Sequence, residues 1–66
     1  MQAQLNKKIY SQAAVEEAVK AFNGLADLKR GQNARYFLVE IKKIEADFKD
    51  VFLDEFYNFV LSSMRK

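Results

Sequence analysis

Glu16 and Glu17 in "SQAAVEE", and Glu55 with Asn58 in "DEFYNFVLSSM", are the polar side chains whose types and spacing most invite a chemical reading. Paired carboxylates serve acid–base chemistry only when they converge, and adjacent residues on a helix do not face each other, so Glu16 and Glu17 read as a solvated face. Glu55 is a lone carboxylate without a positioned second group, a poor basis for proton transfer. It reads either as structural, paired with Lys42 or bonded to a tyrosine hydroxyl at the rim of apolar surface, or as a partner contact beside Asn58. The chain has no histidine and no cysteine. The commonest general base, the commonest metal ligand and any thiolate are therefore missing, and no glycine-rich phosphate loop is present. The expectation is a non-enzymatic protein with no catalytic residue, no metal ligand and no cofactor.

Such residues must be positioned by a very small fold. With 66 residues, 50% of them hydrophobic, 30% charged and no proline, the chain reads as one compact domain over 1–66 with a thin core. Stability at this size benefits from a partner or a second copy that covers further apolar area. The net charge of +2 comes from scattered basic residues with acids between them, which aids solubility and argues only weakly for nucleic acid. The start "MQAQLNKK" has no apolar signal-peptide run, and no stretch approaches the roughly 18 apolar residues of a membrane span, so a soluble cytoplasmic protein is expected.

Leu5, Lys7 and Ile9 alternate with Asn6, Lys8 and Tyr10, predicting a short first strand that ends at Ser11. Ser11 can cap a helix whose Ala14, Val15, Ala18, Val19 and Phe22 share one face, with Tyr10 stapled onto Val15 and Gly24 supplying a left-handed stop. Leu25 to Arg30 and Arg35 to Lys43 then read as an antiparallel hairpin around "GQNA". In its second strand Phe37, Val39 and Ile41 face the core, opposite Tyr36, Leu38, Glu40 and Lys42. Asp47 is placed to cap a last helix. The order is β-α-β-β-α, an α+β domain with a three-stranded sheet and two helices packed on one face, and the first strand is placed beside the second.

Wound at about 100° per residue, the last helix carries two apolar stripes, Phe48, Phe52, Phe56 and Phe59 in one and Leu53, Tyr57, Leu61 and Met64 in the other. A helix lying on one sheet normally needs a single stripe. Two readings follow: the first helix packs sideways over the second stripe, or Leu53, Tyr57, Leu61 and Met64 form a self-association or partner-binding face, joined by Glu55 and Asn58.

The segments "KKIYSQAAVEEAVKAFNG" and "DEFYNFVLSSM" resemble the HxsD-like small proteins of the His-Xaa-Ser peptide-modification systems of bacteria. In that family a strand ending in Tyr-Ser enters an alanine-rich amphipathic helix, here at Tyr10 and Ser11, and a Glu-Phe-x-Asn-x-x-Leu helix closes the chain, here Glu55, Phe56, Asn58 and Leu61. The resemblance implies a cytoplasmic accessory protein working beside a radical S-adenosylmethionine maturase on ribosomally made peptides. It implies no catalytic residue, and iron–sulfur chemistry would belong to the maturase, since this chain has no cysteine to hold a cluster. An unpaired sheet edge could take the precursor peptide as an added strand.

Two other classes compete. A small structural homo-oligomer needs no ligand. An RNA-binding module is suggested by Arg35, Tyr36 and Lys42 on one strand, but the glycine-aromatic pattern of the RNA-recognition motif and a GxxG loop are both missing.

Overall fold

The computed structural model describes residues 1–65. Its elements are β1 (Gln2–Asn6), α1 (Gln12–Phe22), β2 (Asp27–Gln32), β3 (Tyr36–Lys42), a 3₁₀ turn (Ala46–Phe48) and α2 (Phe52–Met64). The α+β architecture is the expected one: three antiparallel-paired strands carry two helices on one face.

The strand order is β1-β3-β2, which places β3 in the centre and corrects the expectation that the first two strands are neighbours. Both outer strands run antiparallel to β3, from Gln2↔Glu40 to Asn6↔Tyr36 on one side and from Asp27↔Lys42 to Gln32↔Phe37 on the other. β1 and β2 are thus parallel with one strand between them, and α1 makes the crossover. The central place goes to the strand with the strongest apolar alternation, because only it is covered from both sides of the ladder and by the helix layer.

β1 lies several residues before the predicted strand. Ala3 and Leu5 are fully buried, whereas Ile9 is 60% exposed. Asn6 ends the strand locally: its carbonyl accepts the Ile9 and Tyr10 N–H groups, and its side-chain oxygen accepts the Lys8 N–H. The apparent alternation through Lys7 and Ile9 is therefore a turn. Asn33 acts similarly in the hairpin, accepting the Arg35 and Tyr36 N–H groups on its Oδ1, so that β2 runs on through Gly31 and Gln32.

Ser11 caps α1 as expected, its hydroxyl accepting the Ala14 N–H at 3.2 Å. Gly24 is not left-handed; the single positive φ among the described residues is 54° at Lys43, just after β3. Asp47 falls in the 3₁₀ turn and does not cap α2, which starts after Val51 without a side-chain cap and has Asp54 and Glu55 in its first turn.

The core lies between sheet and helices, with Leu5, Val39 and Ile41 below and Ala14, Val15, Ala18, Phe52, Phe56 and Val60 above. Phe22 joins the helices, its ring edge-on to Phe52, Phe56 and Phe59 at 5.3, 5.5 and 5.6 Å. Among the described residues no polar or charged side chain is buried, and no helix is long and apolar enough to cross a membrane.

Candidate binding surface

The two outer strands expose their edges very differently. On β1, Met1 and Ile41 exchange both backbone hydrogen bonds, and Lys7 N–H donates to the Arg35 carbonyl. Ladder bonds alternate in an antiparallel pair, so Ala3 and Leu5 face β3 while the backbone groups of Gln2, Gln4 and Asn6 point away from the sheet. Tyr57 of α2 closes the middle of that edge. Its hydroxyl accepts the Gln4 N–H and donates to the Gln4 carbonyl, both at 3.2 Å. The carbonyl of Asn6 is also occupied by its own turn.

On β2 the Asn33 N–H donates to the Tyr36 carbonyl, which sets the same alternation in that ladder. Lys29 and Gly31 bond toward β3, and the backbone N–H and C=O groups of Leu28, Arg30 and Gln32 point outward. No described residue bonds to them. The strand is exposed throughout except at half-buried Leu28. Beside it, between α1 and the strand, lies a cavity of about 260 Å³ bordered by Gln12, Val15, Glu16, Arg30, Gln32 and Phe37. Arg30 Nη1 donates to Glu16 Oε1 at 2.6 Å on its wall.

The second stripe of α2 divides into two halves. Leu53 and Tyr57 are half-buried against the core, and the Tyr57 ring lies 6.4 Å from that of Tyr10 at 45°. Leu61 is half-buried, and Met64 is 37% exposed. The first two residues thus have partners within the chain, and only the C-terminal half of the stripe stays open. Glu55 is exposed on the side of α2 opposite the stripe, whereas Asn58, also exposed, flanks Leu61 at i, i+3 spacing. Among the described residues Glu55 makes no ion pair, so neither Lys42 nor a tyrosine hydroxyl engages it. Of the six predicted contact residues, Glu55 thus lies apart from the other five.

The open face of the sheet carries Gln2, Gln4, Asn6, Asp27, Lys29, Gly31, Tyr36, Leu38, Glu40 and Lys42, with Tyr36 its single aromatic. No group of three or more His, Cys, Asp or Glu residues suited to a metal occurs among the described residues.

The edge residues Leu28, Arg30 and Gln32 went unnoticed in the sequence because "DLKRGQ" has one apolar residue and a glycine, the composition of a turn. Lysine, arginine and a short length are also how proteins build a strand with an uncovered edge, and that was the available signal. No protein-family model, curated protein or solved structure matches the chain.

Proposed function

We propose that the protein is a non-catalytic accessory subunit that binds an extended peptide as an added strand along β2, serving as the precursor-binding partner in ribosomal peptide maturation. The observation that carries the binding mode is the asymmetry of the edges: Tyr57 occupies the outward groups of Gln4, while those of Leu28, Arg30 and Gln32 have no partner among the described residues. Backbone bonds to such an edge supply affinity for any extended chain, and neighbouring side chains supply choice. The resemblance of "KKIYSQAAVEEAVKAFNG" and "DEFYNFVLSSM" to the HxsD-like proteins supports the setting, a cytoplasmic partnership with a radical S-adenosylmethionine maturase.

The test is binding of an acetylated, amidated hexapeptide of valine and threonine with two central glutamates, compared between the natural chain and Gln32→Pro. Proline there removes one outward N–H without touching the bonds to β3, and affinity should fall by about five- to tenfold, the worth of one backbone hydrogen bond. Unchanged affinity would sink the edge mechanism. A gene neighbourhood with neither a maturase nor a short precursor would sink the maturation setting.

Exposure of Met64 and partial exposure of Leu61 favour a second reading, homo-oligomerisation through the end of α2. A dilution series of solution mass should then show a dimer that Leu61→Glu splits into folded monomers, and a monomer at every concentration rejects it.

A further inference from the structure

The charges along β2 say more about what pairs with it. A second copy added antiparallel must align outward-facing residues with outward-facing residues. The two alignments that use most of Asp27–Gln32 then place Arg30 opposite Arg30 of the copy, or Lys29 opposite Lys29. Like charges directly opposite each other destabilise a pair of strands, so the edge resists its own copy.

The same two cations have capacity left for a ligand. Lys29 has no carboxylate within ion-pair distance among the described residues, and it lies on the open face of the sheet. Arg30 lies on the helix face, where among the described residues Glu16 engages its Nη1 alone. A guanidinium carries five N–H donors, more than one carboxylate oxygen uses, and Arg30 borders the cavity of about 260 Å³ together with Gln12 and Gln32. That space admits a carboxylate side chain. Neighbouring residues of a strand point to opposite faces, so adjacent positions of a docked peptide would meet Arg30 and Lys29 respectively.

We infer that the β2 edge selects an acidic extended peptide, with two adjacent carboxylates, one entering the cavity beside Arg30 and the other pairing with Lys29 across the open face. This rests on the proposed strand addition and names the chemistry of the strand that is added.

Three acetylated, amidated hexapeptides provide the test, each with valine and threonine flanks and with Glu-Glu, Gln-Gln or Lys-Lys at the centre. Binding is followed by the backbone amide shifts of Leu28, Arg30 and Gln32. The glutamate peptide should bind about tenfold more tightly than the glutamine peptide, the combined effect of two cross-strand charge pairs, and the lysine peptide most weakly. The difference should shrink at about 0.5 M salt, where the screening length falls to about 4 Å. Lys29→Glu, a change at an exposed position, should lower the preference for glutamate. Equal affinity of all three peptides with shifts centred on β2 overturns the charge selection and leaves strand addition standing. Absence of binding by any peptide, or shifts confined to other elements, overturns both. Self-association with shifts at Leu28, Arg30 and Gln32 identifies a second copy as the occupant and also overturns the inference.

Discussion

Replacing Tyr57 with phenylalanine removes one oxygen and isolates what closes the β1 edge. The ring stays, so its packing against Tyr10 and Phe56, both at 6.4 Å, is kept. What is lost is the hydroxyl that accepts the Gln4 N–H and donates to the Gln4 carbonyl at 3.2 Å. A net intramolecular hydrogen bond contributes about 0.5–1.5 kcal/mol, and at a strand edge water recovers part of each, so the pair together is assigned about 1 kcal/mol. In a domain of this size that lowers the melting temperature by roughly 4–8 °C, read by circular dichroism. Amide hydrogen exchange is the sharper readout: the Gln4 N–H should lose protection, while the inward-bonded amides of Ala3 and Leu5 keep theirs. With its middle uncovered, β1 also becomes available for strand pairing, and the variant should self-associate more readily at high concentration. An unchanged melting temperature together with an unchanged Gln4 exchange rate would show that the hydroxyl does not close this edge, and the asymmetry that assigns the peptide to β2 would go with it.

Phe22 is half-buried, so Phe22→Ala, which removes the ring that meets Phe52, Phe56 and Phe59, should cost about 2–3 kcal/mol, below the range of a fully buried phenylalanine, and lower the urea midpoint accordingly, whereas Phe22→Leu should move it much less. Lys43→Gly relieves a side chain held at φ 54° and should raise stability by about 0.5–1 kcal/mol; its 3.7 Å ion pair with Asp27 is too exposed to offset that, and a lower melting temperature would refute the strain argument.

Much of the fold was legible because short-range physics sets it. The Ser11 cap and the apolar face of Ala14, Val15 and Ala18 define α1, and the alternation of Val39 and Ile41 defines the core face of β3. Local side-chain chemistry also overrides the apolar alternation. The side chains of Asn6 and Asn33 capture neighbouring amides and so decide where β1 ends and where the hairpin turns, and such capture competes with strand alternation without changing hydrophobicity. Gly24 looked like the left-handed residue, yet that conformation falls on Lys43, where the chain leaves β3 to reach the helix layer.

By itself the sequence determined the order of strands and helices, the α+β class and the lack of histidine and cysteine for chemistry. These follow from residue type and periodicity, which act over one or two turns of chain. Tertiary structure decided which strand is central, that Tyr57 reaches Gln4 across 53 positions, and that no described residue takes the outward amides of β2. Those outcomes depend on how distant segments compete for the same backbone groups, and that competition has no period in the sequence to reveal it.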